Sequence, residues 1–253
     1  MDRDDRLRQA AELLLRARRT GAALDDATLF HAFGGIEDVY AVQERVAAGV
    51  GPVGAWKVGA ASPEAEPFRA PIFRADLFDS PARPAPGRFR LFGIETEIAY
   101  RLARDLPARD EPYSAQEALS ACDVMMPVIE IVDSRLASGA EADPDWKLAD
   151  NQINGGLVLG PASPVRADHD ATVQPYRLEV AGEVVMEGRG GNSAGDPRRL
   201  LAWMVNRTGT HCGGLRAGQI VTTGSLTGLR FVAAGQPVIA DLAGLGRVEV
   251  VFA

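Results

Sequence analysis

Three glutamates are the residues of this chain whose type and spacing best suit chemistry. Glu95 and Glu97 lie in Gly93-Ile94-Glu95-Thr96-Glu97-Ile98-Ala99-Tyr100. Alternate side chains of a strand share a face, so the two carboxylates point the same way and repel unless a cation sits between them. An isolated pair of this kind is ordinarily a solvated strand face. Glu130 is different, because it lies in Pro127-Val128-Ile129-Glu130-Ile131-Val132, apolar on both sides. An ionised carboxylate in a strand covered on both faces is costly unless it is paired or bound to a metal. The competing reading is a buried salt bridge to Lys57 or Arg135. Three oxygen ligands with no neighbouring His or Cys suit Mg2+ or Mn2+ better than zinc.

Lys57, in Gly54-Ala55-Trp56-Lys57-Val58-Gly59, is either an edge lysine with a snorkelling stem or a desolvated ammonium. In the second case it orients substrate, or shuttles a proton through a lowered pKa. The run Thr222-Thr223-Gly224-Ser225-Leu226-Thr227-Gly228 is either a plain strand end or a set of hydroxyls and amides able to receive a carboxylate. Ala149-Asp150-Asn151, followed by Asn154-Gly155-Gly156, reads as a turn with Asx hydrogen bonds. Gly188-Arg189-Gly190-Gly191-Asn192 lacks the strand and helix context of a nucleotide fingerprint. His31, His169 and His211 share no ligand spacing, and none sits in a nucleophile setting.

These residues need elements to hold them. Apolar positions at helical spacing predict helices over residues 5–19 and Ile36–Ala48, ahead of the breaker Gly49-Val50-Gly51-Pro52. Beyond it the expected strands are Ala55–Gly59, Phe89–Leu91, Thr96–Leu102, Val128–Val132, Gly156–Leu159, Gln219–Thr223, Phe231–Val232, Val238–Asp241 and Val248–Phe252. Tyr176–Val180 and Glu183–Met186 form an expected hairpin about Ala181-Gly182. Two helices interrupt them, Ala115–Ala121 and Pro197–Arg207, the latter with Asp196 as N-cap. Ser80–Pro86 and Ala137–Pro144 read as loops. Strands this numerous, joined mostly by turns, imply an α+β fold: a mixed β-roll or sandwich core with helices outside it. The organisation expected is an N-terminal helical region, residues 1–52, and a catalytic domain, residues 53–253.

Length, with 46% hydrophobic and 24% charged residues, places the chain among globular proteins. A net charge of −7 disfavours nucleic acid as a partner, and requires a local positive centre for any anionic substrate. Two cysteines without a CxxC pair exclude a disulfide framework and a thiolate zinc cluster. With an acid-containing N-terminus and no stretch of membrane-spanning length, the expectation is a cytoplasmic protein without membrane attachment.

Taken together, the motifs resemble a known family. They are the Lys57 segment, Ile94–Ala99 with Arg104-Asp105-Leu106-Pro107, Pro127–Arg135, Ala149-Asp150-Asn151 and Thr223-Gly224-Ser225-Leu226, in one order between about Tyr40 and Phe252. The set resembles the 2-keto-4-pentenoate (2-hydroxypentadienoate) hydratase and 4-oxalocrotonate decarboxylase group of the fumarylacetoacetate hydrolase superfamily. The resemblance implies a core of that superfamily's type and a Mg2+ or Mn2+ site on Glu95, Glu97 and Glu130. It implies catalytic roles for Lys57 and Asp76, and substrate contacts at Asp133, Ser134, Arg135, Asp150, Asn151, Thr223 and Ser225. Glutamate at position 130, and His31 without an adjacent Glu, favour the hydratase and decarboxylase branch over the hydrolases. Departures are a shortened Ser62–Ile72 segment, Lys147-Leu148 placed directly before Ala149, and Asn192 and Asp196 in place of commoner residues.

The implied reaction is hydration of a 2-hydroxy-2,4-dienoate to a 4-hydroxy-2-oxo acid in aromatic-compound catabolism. The alternatives are a decarboxylase of a 2-oxo-3-enedioate, a hydrolase of a 2,4-dioxo acid, and a non-catalytic partner subunit. The implied partners are a small 2-oxo acid substrate, further copies in a homo-oligomer, and a pathway decarboxylase or aldolase in complex.

Overall fold

The computed structural model describes residues 1–253. Its first helix starts where a cap allows: the Asp2 side chain accepts the Asp5 amide, and α1 runs Arg3–Thr20 to a left-handed Gly21. The elements that follow are α2 (Ile36–Val50), β1 (Val53–Gly59), β2 (Phe68–Phe73), β3 (Leu77–Asp79), β4 (Gly93–Leu102), α3 (Ala115–Ser120), β5 (Cys122–Val132), α4 (Pro144–Ala149) and β6 (Asn154–Leu159). The chain ends with β7 (Ser163–Pro164), β8 (Pro175–Val180), β9 (Glu183–Arg189), α5 (Pro197–Thr208), β10 (Ile220–Ser225), β11 (Arg230–Phe231), β12 (Pro237–Leu242) and β13 (Gly246–Val251). The fold is α+β, as expected. No helix is long and apolar enough to cross a membrane.

Two sheets are present. The larger has the order β2-β1-β10-β4-β5-β6-β3, with β11 on β4 and β7 on β5; the smaller is β13-β12-β8-β9. The larger sheet curls until β2 lies against β6, while β12 and β13 pack on β5. Trp56, Ile94, Ile98, Ile129, Ile131, Val238, Val248 and Phe252 form the main core. The helical region has a second core: Leu7, Leu14, Val39 and Val42 pack with Leu136 and Trp146. A third, small cluster holds Ala55, Ala99 and Val128. Two residues along the same strand faces from these three stand Lys57, Glu97 and Glu130, so period-two alternation puts the polar groups beside a small apolar plug.

The β8–β9 hairpin turns at Ala181 and Gly182, with φ of 53° and 83°, the left-handed pair that a tight hairpin needs. Asp196 caps α5 by accepting the Arg198 amide, with Pro197 in the first turn. Three expectations are corrected. Phe89–Leu91 is not a strand: Asp133 Oδ1 accepts the amides of Arg90 (3.1 Å) and Leu91 (2.9 Å), so a side chain takes the bonds that a neighbouring strand would have. The second half of the shortened Ser62–Ile72 segment lies in a strand missing from the expected set, β2, whose Pro71 pairs with Trp56 and is tolerated because β2 is an edge. The turn expected at Ala149-Asp150-Asn151 follows a short helix, α4, which the Asp143 side chain and Pro144 start.

Candidate metal centre

Register brings the three glutamates together. In the antiparallel β4–β5 pair, Glu95 lies directly opposite Glu130, with Glu97 opposite Val128. On the other side of β4, β10 sets Thr222 opposite Ala99, and β1 sets Lys57 beside Thr222. One carboxylate oxygen from each glutamate falls within 4.8 Å of the others. Glu130 is fully buried and Glu97 nearly so.

The oxygens of Glu130 have different fates. Oε1 accepts Lys57 Nζ at 2.5 Å and Asn154 Nδ2 at 2.9 Å. Oε2 is buried and has no hydrogen-bond partner. Lys57 Nζ also donates to the carbonyl of Gln152 at 3.3 Å. Glu97 Oε2 accepts the Thr222 hydroxyl and, at 2.9 Å, the Gly224 amide. Gly224 has φ of +87°, and its turn is held by Asn192, whose Nδ2 donates to the carbonyls of Thr223 (2.7 Å) and Gly224 (3.1 Å). Asn192, one of the departures, therefore shapes the turn that serves Glu97.

Both readings of Glu130 hold at once. It is salt-bridged to Lys57 rather than to Arg135, and one oxygen remains for something else. Burial first, and then the charge of Glu130, push Glu95 up to about 7. The same causes, with Glu95 added, raise Glu97 well above the usual carboxylate range. Burial opposes the charge on Lys57, but Glu130, Glu95 and Glu97 outweigh it and its pKa is raised. The surrounding carboxylates thus favour the charged form of Lys57, which runs against the lowered-pKa reading. Three carboxylates against one ammonium leave a formal charge of −2, which one divalent cation closes. An orphaned buried oxygen, a hard all-oxygen donor set and carboxylates raised by mutual repulsion together fit a divalent metal ion.

The other candidate residues divide. Ser225 lies beside Glu95, and its hydroxyl favours the charged carboxylate. Thr223 turns away and donates to the Ile98 carbonyl at 2.8 Å; its neighbour Thr222 is the residue that reaches the centre. Asp133 holds the segment at Arg90 and Leu91. Asp150 is buried and saturated: Arg135 supplies Nε to Oδ1 (2.5 Å), its amide to Oδ2 (2.9 Å) and Nη2 to the carbonyl (2.8 Å), while Ser134 adds its hydroxyl at 3.3 Å. This pairing replaces the expected Asx turn. Asn151 donates to the Pro71 carbonyl at 2.9 Å. Asp76 is paired with Arg88 and makes no hydrogen bond or ion pair with Lys57 or the glutamates. The run expected to receive a carboxylate does so through the Thr222 hydroxyl and the Gly224 amide, and the carboxylate is that of Glu97. The contacts of Asn154 and the Gln152 carbonyl at the centre depend on pairing between distant strands and were not foreseen.

The histidines stay outside the centre. His211 packs between Tyr40 and Trp56, and burial lowers it to about 4, so it is neutral. His31 lines a separate surface cavity beside Phe30 and Trp146.

With this geometry in hand, the comparisons with known proteins define the class. The family model for the fumarylacetoacetate (FAA) hydrolase C-terminal region matches residues 47–253, and the chain belongs to that family. Within it, the resemblance to the 2-keto-4-pentenoate hydratase and 4-oxalocrotonate decarboxylase group is borne out. The chain is 34% identical over 170 residues to 2-keto-4-pentenoate hydratase 2 of Dechloromonas aromatica (strain RCB), covering 67% of this chain and 63% of that protein. It is 30% identical over 260 residues to the TodF product hydratase of Pseudomonas putida (strain F1), covering 98% of this chain and 95% of the relative. The structure of 4-oxalocrotonate decarboxylase from Pseudomonas putida G7, complexed with magnesium and adipate, superposes with a TM-score of 0.86 at 22% identity, over 100% of this chain and 99% of that one. The first relative is matched over less than two thirds of its length.

Proposed function

We propose that the protein is a divalent-metal-dependent hydratase that adds water to a 2-hydroxy-2,4-dienoate, giving a 4-hydroxy-2-oxo acid. The observation that carries this reading is the unpartnered Oε2 of Glu130 in a cluster with two further carboxylates, with Lys57 on its other oxygen. Relatives named as hydratases support the reaction, including one matched over nearly its whole length. A place in aromatic-compound catabolism is part of the same proposal. Mg2+ or Mn2+ is the ion proposed; known structures of this fold have been solved with magnesium and with Mn2+.

Glu95, Glu97 and Glu130 would hold the ion, which supplies Lewis-acid polarisation of a 2-oxo group and a template for two substrate oxygens. Asn154 and Lys57 fix the rotamer of Glu130; Thr222 and Gly224 fix that of Glu97. Lys57, kept charged, donates a hydrogen bond to a substrate oxygen, or passes its proton to the dienol carbon on ketonisation and regains one from the 2-hydroxyl group, so that no net proton is consumed. Water then adds to the conjugated ketone. Asp76 enters this scheme only when its pair with Arg88 opens, so Lys57 carries the proton. Ser225, whose hydroxyl meets Glu95, would receive a substrate oxygen there.

Decarboxylation of a 2-oxo-3-enedioate on the same centre is the second reading, favoured by the shared fold alone. It requires a cation for a second carboxylate. Lys57 is the single cationic side chain in ion-pair contact with the glutamates, which favours a monocarboxylate.

The test is the ultraviolet absorbance of 2-hydroxypentadienoate, followed with and without Mg2+. Metal-dependent loss of the dienol signal is expected, with Lys57→Met slower by about 10²–10⁴-fold while still binding the ion. Consumption no faster than the spontaneous rate would sink the hydratase reading for that substrate. Metal binding without turnover would shift weight to a partner subunit.

A further inference from the structure

A second polar cavity, of about 340 Å3, lies where the end of α1 meets the segments around Asp76, Arg90 and Ser134. None of Lys57, Glu95, Glu97 or Glu130 lines it. Its walls carry Arg18, Arg19, Arg88, Arg90 and Arg135, against the carboxylates of Asp76 and Asp133. Asp150 stands behind one wall, bound to Arg135.

Each acid is already committed. Asp76 takes Arg88, Asp133 takes two backbone amides, and Asp150 takes Arg135. Arg90 donates to the carbonyls of Ser134 and Leu136, which do not neutralise it. Arg18 has buried Nε and Nη2 atoms with no hydrogen-bond partner; the nearest acid, Asp150 Oδ1, is 3.6 Å from Nη2. Five guanidinium groups against three carboxylates leave a local excess of two positive charges in a chain whose net charge is −7.

The ordinary explanations cover part of this. Arg18 and Arg19 in the last turn of α1 complement its dipole, and the Arg18 guanidinium lies 5.3 Å from the Phe73 ring centre. Neither supplies an acceptor for the buried donors, and buried guanidinium groups ordinarily have one. Burial and the nearby charge of Arg135 push Arg18 down to about 10, so it remains charged at neutral pH.

We propose that this cavity binds a small oxyanion, a carboxylate or a phosphate, with Arg18 as its principal donor and Arg19, Arg88, Arg90 and Arg135 supplying the field. The site shares no residue with the carboxylate centre, although Asp76, Asp133, Ser134 and Arg135, which the resemblance ties to catalysis or substrate, line it, and the proposal does not depend on the reaction performed at the metal. A planar or tetrahedral group of two or three oxygens matches the guanidinium fork of Arg18.

The test is titration of the Mg2+-containing protein with inorganic phosphate and, separately, with succinate, read by calorimetry and by thermal shift. Saturable binding of either anion is expected; phosphate alone or succinate alone identifies the source. Arg18→Met, which keeps the stem over Phe73, is expected to weaken that binding at least about tenfold. Glu130→Gln is expected to leave it unchanged. Should Arg18→Met fail to fold, Arg88→Met, at a side chain 45% exposed, serves as the second variant and is expected to weaken binding as well. The proposal is overturned if neither anion binds saturably. It is equally overturned if binding survives the arginine variants or disappears in Glu130→Gln, which would place the anion at the metal centre.

Discussion

Two buried carboxylates of this protein, Glu130 and Asp150, are both fully enclosed and both ion-paired, yet they differ in what is left over. Asp150 has every oxygen filled by Arg135 and Ser134. Glu130 has one oxygen filled twice and the other filled by nothing. Burial and a salt bridge alone therefore do not mark a functional acid. What separates a brace from a site is the unspent valence, because a protein interior leaves few polar atoms unpaired without a reason. Repulsion points the same way: Glu130 raises the pKa of both Glu95 and Glu97, whereas the charges nearest Asp150 are arginines.

That contrast is broken most forcefully at Asp150. Asp150→Asn leaves the guanidinium of Arg135 without its acid, and a cost of about 3–5 kcal/mol is expected. Thermal unfolding would show it as a fall in Tm of about 10 °C. A fall of a degree or less would mean that the pair is not the brace described. The next largest effects belong to the residues that aim the glutamates. Asn154→Ala and Thr222→Val are expected to weaken Mg2+ binding between about tenfold and a hundredfold, the range for groups that orient metal ligands. Thr223→Val, whose hydroxyl faces a backbone carbonyl, is the control and should leave Mg2+ affinity unchanged. Equal losses in Thr222→Val and Thr223→Val, measured by calorimetry, would remove the distinction drawn between the two threonines.

The remaining effect, graded with conditions and not set by one substitution, is on pH. Without the ion, Glu95 holds its proton to about pH 7 and Glu97 is also raised. Metal and proton compete for the same oxygens, so the ion displaces protons below that pH and fewer above it. Mg2+ affinity should rise with pH through the acid and neutral range, by about tenfold per pH unit for each proton displaced. Calorimetry in buffers of different ionisation enthalpy would detect the released protons. A flat profile between pH 5 and 8 would contradict the shared site.

How far the site was legible in the sequence follows from the range of each interaction. Glu95 and Glu97 share a face by local geometry alone, and Glu130 stood out because its strand is apolar on both sides. The α+β class, the hairpin at Ala181-Gly182 and the cap of α5 likewise depend on neighbouring residues. That Thr222 meets Glu97, and Asn154 meets Glu130, is not legible in the sequence, since both contacts come from strand registers between distant segments: β10 on β4 and β6 on β5. Within the Thr222–Gly228 run, Thr222 and Thr223 lie on opposite faces of β10, so only one of the two hydroxyls reaches Glu97 while the other meets the Ile98 carbonyl. Asp150 and Arg135 looked like binding residues because a polar motif does not reveal that its members saturate each other. Asp76 was placed with Lys57, although Arg88, twelve positions on, holds it.

The central claim is a divalent ion held by Glu95, Glu97 and Glu130, and calorimetric titration of EDTA-treated protein with Mg2+ tests it most directly. One ion per chain is expected, with protons released near neutral pH and with binding lost in Glu130→Gln, which retains the shape of the side chain but not its charge. Unchanged Mg2+ affinity in Glu130→Gln, or no saturable binding by the wild-type protein, would contradict it.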